Sequence, residues 1–359
     1  MPPPSAADST SEHPSQFHAQ RSTGPGFQGQ APGPSHQYYH EPLPSKLLEQ
    51  GKLFMVQLAC AGGSGALAKT AVAPLERVKI LLQVQGQSTL PAEQRYHGIM
   101  DALRRIPARE GGLRALYRGN GANVVRLVPD IGFKFIVHDQ FKIMFTPADG
   151  SALGVLERFA AGAATGMVRT MIFYPLDLAR TRITADTSPA GPHRNYPGIR
   201  SCLSKTFRQE GFRGLYKGFL LSNLGIVPYL SVSLSMYDWL KDQLPNDKVS
   251  RSQVWLPLAK MGFGATASIT AQLVAYPLDT VRRRMQVNGA LGTSMRYKSA
   301  LDCVRSMLRK EGGVASLYNG ARISILKTIP GAAIQFVAYD LIKTTVAMVD
   351  PTTGITPPI

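Results

Sequence analysis

Six apolar stretches separated by polar connections outline this chain of 359 residues: 53–73, 120–138, 153–174, 219–237, 256–276 and 321–339. Each is long enough for a helix to cross a bilayer. None has the unbroken apolarity of a simple membrane span, because small and polar residues recur along all six. The pattern predicts helices that are apolar toward lipid on one side and polar toward water on the other. A proline follows the first, third and fifth stretches at once, and Pro74, Pro175 and Pro277 lie 101 and 102 residues apart. The chain therefore reads as three tandem units, each a helix, a polar connection and a second helix.

The same three motifs recur in each unit, in the same order. The first is P-x-acid-x-x-base: Pro74, Glu76 and Lys79; Pro175, Asp177 and Arg180; Pro277, Asp279 and Arg282. The second is an acid-glycine pair followed by tyrosine-x-glycine: Glu110-Gly111 and Tyr117 to Gly119, Glu210-Gly211 and Tyr216 to Gly218, Glu311-Gly312 and Tyr318 to Gly320. The third puts a lysine three residues after an aspartate: Asp139 and Lys142, Asp238 and Lys241, Asp340 and Lys343.

The motifs suggest a mechanism. Proline in a helix kinks it, and an acid and a base three residues apart share one helix face. With three kinked ends in a ring, each acid meets a neighbour's base: Glu76 with Arg180, Asp177 with Arg282, Asp279 with Lys79. Gln83 and Gln286, nine residues beyond their prolines, are placed to brace such pairs, with Thr184 at that position in the second unit. The aspartate–lysine motifs allow a second ring at the other end. Two rings that cannot both stay shut during turnover describe alternating access. Ordinary exposed salt bridges at helix ends explain one such pair but not its repetition.

The first helices carry small residues thirteen and nine positions before each proline, Ala61/Gly65, Gly162/Gly166 and Gly264/Ser268, a pattern that permits close helix approach. Charges within the spans are few: Lys69, Arg126 and Lys327. Such groups face a cavity or a partner, because exposure to lipid is costly. Six helices with threefold pseudosymmetry would enclose a basic cavity. Arg126, Gly225 and Lys327 are equivalent, each seven residues after its unit's glycine. There the symmetry breaks, as a site for an asymmetric ligand requires. Two cations suit phosphate groups, and the glycine leaves a surface beside Ile226 and Tyr229 where a planar ring can stack. The competing readings are a snorkelling cation, or pairing with Asp130, for Arg126 and Lys327, and close helix packing for Gly225.

Composition narrows the partners. The formal net charge of +17 points to anionic company, yet the bases follow the repeats and many are matched to acids, which disfavours a nucleic-acid surface. Cys60, Cys202 and Cys303 are too scattered for a disulfide framework or a metal site. No G-x-x-x-x-G-K-[ST], H-E-x-x-H or G-x-S-x-G motif suggests an enzyme. Residues 1–49 are rich in Pro, Gly, Ser and Gln and are expected to be a disordered tail. The remaining divisions fall at 50–147, 148–246 and 247–348, with a short tail at 349–359.

Together the tripled P-x-[DE]-x-x-[KR], E-G…Y-x-G and [HY]-D-x-x-K motifs resemble the mitochondrial carrier family over residues 50 to about 348. His138 stands where the family pattern has an aromatic ring. The resemblance implies an all-α membrane protein of the inner mitochondrial membrane, with six transmembrane helices, short matrix-side helices and one central substrate site, working as a monomer without cofactor or metal. It makes Glu76, Lys79, Asp177, Arg180, Asp279, Arg282, Gln83 and Gln286 a matrix gate. Asp139, Lys142, Asp238, Lys241, Asp340 and Lys343 become a cytoplasmic gate. Lys69, Arg126, Gly225, Ile226, Tyr229 and Lys327 become substrate contacts. The Gly-Ile pair and the basic contacts are similar to those of the branch that exchanges adenine nucleotides. Coenzyme A, with its adenine and phosphates, suits the same contacts, and proton- or fatty-acid-conducting relatives share the fold. Arg283 and Arg284 suit either phosphate or acidic lipid, and the helix N-termini near the Tyr-x-Gly segments suit cardiolipin phosphates.

Overall fold

The computed structural model describes residues 43–87, 93, 95–146, 154–189, 194–243, 255–290 and 295–349. Residues 1–42 and 350–359 lie outside the described residues, whereas 43–49, the last part of the N-terminal stretch expected to be disordered, form the first turns of a helix. The chain divides into a unit of residues 1–46 and a unit of residues 47–359. The second contains all three repeats.

Its elements follow the apolar pattern. Helices α1 (Leu43–Ala71) and α2 (Ala73–Val84) are the first long stretch, broken at its proline. A surface helix α3 (Ile99–Glu110) leads to α4 (Asn120–Phe145). The second repeat is α5 (Val155–Ala185), α6 (Ile199–Leu215) and α7 (Phe219–Asp242). The third is α8 (Trp255–Val287), α9 (Ala300–Lys310), the single turn α10 (Val314–Leu317) and α11 (Ala321–Val349).

The first helix of each repeat runs further than the apolar pattern suggests. It continues about ten residues beyond the proline, to Val84, Ala185 and Val287. The missing proline N–H bends the helix without ending it. Even at the break in the first repeat the ladder carries on, with Val72 N donating to Ala68 O at 3.2 Å and Glu76 N to Val72 O at 3.0 Å. Each acid and base of the first motif therefore lies on a helical turn beyond a bend.

Across the repeat boundaries α4 packs on α5 and α7 on α8, and α11 closes the ring against α2 while also packing on α8 of its own repeat. The close approach expected at the small residues holds only in part. A Cβ on Gly65 would come within 2.8 Å of Leu127 Cδ2, so α1 and α4 do meet there. At Gly162, Gly166 and Gly264 a Cβ would meet nothing within 4 Å. Those glycines leave open space rather than a helix contact.

Each surface helix buries one stripe against its own repeat. Ala102 and Ile106 of α3 pack on Val78, Leu81 and Leu82. Cys202 of α6 packs on Ala179 and Ile183, and Cys303 and Met307 of α9 on Val281. The glycine of each acid-glycine pair has positive φ, Gly111 at 91°, Gly211 at 66° and Gly312 at 100°: Gly111 caps α3, Gly211 kinks α6 four residues before its end, and Gly312 follows α9. Large apolar side chains instead face outward on the long helices, including Leu220, Leu224, Val227, Leu234 and Trp239 of α7. Among the described residues, hydropathy alone qualifies only Phe219–Asp242 and Val314–Met348 as spans. The other long helices fall short because their inner faces are polar, as the mixed pattern of the six stretches suggests.

Candidate functional site

Inside the ring, the three kinked ends converge. Glu76 Oε2 lies 2.7 Å from Arg180 Nη2, Asp279 Oδ2 lies 2.8 Å from Lys79 Nζ, and Asp177 Oδ2 pairs with Arg282 Nη2. Every pair joins one repeat to another, so the three close a circle. Gln83 Nε2 donates to Asp279 Oδ2 at 3.3 Å, and Gln286 Nε2 to Asp177 Oδ2 at 3.3 Å. The Glu76–Arg180 pair has no glutamine, since Thr184 Oγ1 donates instead to Arg180 O. Glu76 has a different extra partner, Lys327 Nζ at 3.1 Å.

Two adjoining cavities stand above this circle, of about 270 and 310 Å³, sharing Ser222, Ile226, Arg282 and Arg283. The larger brings Gly225, Ile226 and Tyr229 of α7 opposite Lys327 of α11. The smaller holds Arg126, Asp130 and Arg169. Lys69 is half-buried on α1, lines neither cavity, and has no hydrogen-bonding or ion-pair partner among the described residues. Among the described residues Arg126 has one ion-pair contact, with Asp130 Oδ2 at 3.6 Å, and its Nε is buried without a hydrogen-bond partner.

At the opposite end, no ion pair joins Asp238, Lys241, Asp340 or Lys343 among the described residues. Asp238, Lys241, Lys142 and Asp340 are exposed, and the Asp139 side chain lies outside the described residues. His138 finds a polar partner in place of an aromatic contact, Thr165 Oγ1 of α5 at 3.2 Å from its Nδ1.

Arg283 and Arg284 both turn inward, so neither lies at a lipid surface. Arg283 Nη1 donates to Thr181 Oγ1 at 2.6 Å and its side chain lines both cavities. Arg284 is fully buried against Glu311 Oε2 at 2.5 Å.

That last contact belongs to a deeper layer which spacing alone did not reveal. Arg77, Arg182 and Arg284, each with a 0% exposed side chain, hold the glutamate of their own acid-glycine pair: Glu110 at 2.6 Å, Glu210 at 2.6 Å and Glu311 at 2.5 Å. Each also donates to a backbone carbonyl of the next repeat: Asp186 O at 3.0 Å, Gln286 O at 2.9 Å and Gln83 O at 3.0 Å. Three further residues hold the loops below. Gln85 Oε1, Asp186 Oδ2 and Asn288 Oδ1 accept from the backbone N–H of Tyr96, Tyr196 and Tyr297. All three lie eleven residues past their prolines, a signal that was present in the repeat register.

The three repeats have counterparts in known proteins. The mitochondrial carrier protein family model matches residues 51–149, 151–248 and 255–349. The chain is 38% identical over 303 residues to ADP/ATP translocase 3 of Bos taurus, covering 83% of this chain and 99% of that protein. It is 38% identical over 296 residues to ADP/ATP translocase 2 of Rattus norvegicus, covering 81% and 97%. It is 36% identical over 309 residues to the mitochondrial adenine nucleotide transporter ADNT1 of Arabidopsis thaliana, covering 80% and 85%. With three matched repeats spanning most of its length, this chain belongs to the mitochondrial carrier family.

Proposed function

We propose that the protein exchanges adenine nucleotides across the inner mitochondrial membrane by alternating access. The observation that carries this reading is the asymmetry of the cavity: cations at Arg126 and Lys327, and an uncharged shelf at Gly225, Ile226 and Tyr229, above a closed circle of ion pairs. Phosphates would sit on the cations and the adenine on the shelf. Lys69, with no hydrogen-bonding or ion-pair partner among the described residues, is suited to a first contact with phosphate. The relatives named ADP/ATP translocase and adenine nucleotide transporter support the same class of substrate.

In this reading the ion-pair circle is the matrix gate, here shut, and the six residues at the far ends of α4, α7 and α11 form the cytoplasmic gate. The bent helices at Pro74, Pro175 and Pro277 carry the matrix gate inward. The carrier works as a monomer, with one cavity on its pseudosymmetry axis, and cardiolipin phosphates bind at the helix N-termini beside the Tyr-x-Gly turns.

The test is a substrate panel in liposomes. Vesicles containing the purified protein are loaded with ADP, ATP, AMP, coenzyme A or phosphate, and uptake of labelled ATP is followed. Exchange with an adenine nucleotide, abolished by Arg126→Ala, is the expected result. Uptake only against coenzyme A would move the assignment to a coenzyme A carrier. No uptake with any of them, from folded protein, would contradict the nucleotide reading.

A further inference from the structure

The cavity holds a carboxylate where an anion site would do better without one. Asp130, on α4, is 4% exposed. Its Oδ1 accepts from Arg169 Nε at 2.5 Å and its Oδ2 from Arg169 Nη2 at 2.6 Å, a two-pronged grip across to α5. Arg126 reaches the same Oδ2 only at 3.6 Å and keeps a buried, unpartnered Nε. One arginine is therefore captive and its neighbour is available. The fold does not require this pair. The positions equivalent to Arg169 are Ala68 and Ala271, and those equivalent to Asp130 are Tyr229 and Gly331. A buried ion pair used only to join two helices is a poor choice, because apolar side chains of similar volume are often as stabilising.

Beyond the bases of the closed circle, Arg126, Arg169, Arg283 and Lys327 line the cavities as cations; Lys327 and Arg283 reach carboxylates of the circle, Glu76 at 3.1 Å and Asp279 at 3.7 Å, and Asp130 is the one lining carboxylate that does not belong to the circle. We propose that Asp130 is a specificity-determining residue, a built-in counter-ion that limits how many negative charges the bound anion carries. Each further charge on a phosphate chain beside Arg126 is repelled by Asp130, and Arg169 is already committed. Neutralising Asp130 removes the repulsion and frees Arg169 together. The preference for a triphosphate over a monophosphate then rises by roughly tenfold, allowing for screening in a water-filled cavity. This deepens the anion-exchange reading, and only the naming of the nucleotides rests on it.

The test uses inorganic anions, so that it stands apart from the adenine question. Full-length protein in detergent is heated with phosphate, pyrophosphate or tripolyphosphate, and the half-protecting concentration of each is read from the shift in unfolding temperature. Asp130→Asn should improve the tripolyphosphate-to-phosphate ratio about tenfold. Arg169→Gln, which leaves Asp130 uncompensated, should move the ratio the other way and supplies an independent arm if Asp130→Asn does not fold. The double variant should return near the wild-type ratio. An unchanged ratio in the single variants would overturn the proposal and leave the pair a helix cross-link. No protection of the wild type by any of the three anions would overturn it as well. If the ratios shift as expected while the wild type exchanges no nucleotide, the counter-ion stands and the nucleotide reading falls.

Discussion

At the scale of single residues, the three ion pairs of the circle are not equal. Asp279 and Asp177 each receive a glutamine N–H in addition to their cation, whereas Glu76 shares its charge between Arg180 and Lys327. Hydrogen bonds to charged groups contribute about 1.5–3 kcal/mol at good geometry, and the 3.3 Å bonds here belong at or below the lower end. Gln83→Ala and Gln286→Ala should each lower the unfolding midpoint of the substrate-free protein by a few degrees. Thr184→Ala, which removes no contact to a carboxylate, should leave it nearly unchanged. Equal effects at all three positions would contradict the bracing account. Lys327 links cavity to gate directly, because an anion that draws its ammonium away from Glu76 weakens the one pair without a glutamine. Lys327→Gln should therefore slow exchange at saturating substrate as well as raise the half-saturating concentration. A change in the half-saturating concentration alone would mean that Lys327 only binds.

At the scale of elements, each Tyr-x-Gly glycine starts the second helix of its repeat hard against the bend of the next. A Cβ on Gly218 would lie 3.2 Å from Arg282 O, and one on Gly320 would lie 3.1 Å from Lys79 O, with φ of +83° at both. Those carbonyls belong to gate bases, so an added methyl pushes on the circle itself as well as straining the backbone. Gly218→Ala and Gly320→Ala should each cost about 1–2 kcal/mol or more, read as a fall in unfolding midpoint. Wild-type midpoints would refute the close approach. The surface helices are tested by their thiols. Burial pushes the Cys202 thiol up to about 11 and the Cys303 thiol up to about 12. At pH 7.5 about one in three thousand of either, or fewer, is thiolate. In a Cys60→Ala background, maleimide labelling should be slow in the native state and rapid after unfolding. Fast native labelling would show that α6 and α9 do not pack as described.

These elements also show how far the sequence could be read. The ion pairs of the circle were legible because acid, base and proline recur at one spacing in three copies, and a circle is the arrangement in which each acid meets a neighbour's base. The buried arginine layer was not, because the cation changes place. Arg77 lies three residues past its proline, but Arg182 and Arg284 lie seven past theirs. Only the bend in three dimensions brings all three to equivalent glutamates. The pairing of Asp130 with Arg169 escaped for the opposite reason: Asp130 was weighed only as a partner of Arg126 and Lys327, and Arg169 occurs in one repeat alone, where a search for triplets passes over it. The departure from symmetry that singled out Arg126, Gly225 and Lys327 would have found them too. Small residues misled where a matching register was taken to mean contact, as Gly162, Gly166 and Gly264 show.

At the scale of the whole molecule, one end of the ring is closed by six charges in three inter-repeat pairs, and the buried arginine layer backs it. At the other end Asp238, Lys241, Asp340 and Lys343 form no ion pairs among the described residues. In the proposed exchange, opening the closed end costs those contacts, and a bound anion would offset that cost by new contacts made partway through the change. An empty carrier lacks the offset. The most direct test of this account compares labelled ATP uptake into liposomes loaded with ADP and into unloaded liposomes, at equal amounts of folded protein. The account predicts uptake at least about tenfold faster into the loaded vesicles, equivalent to about 1.4 kcal/mol of barrier. Equal rates into loaded and empty vesicles would contradict it.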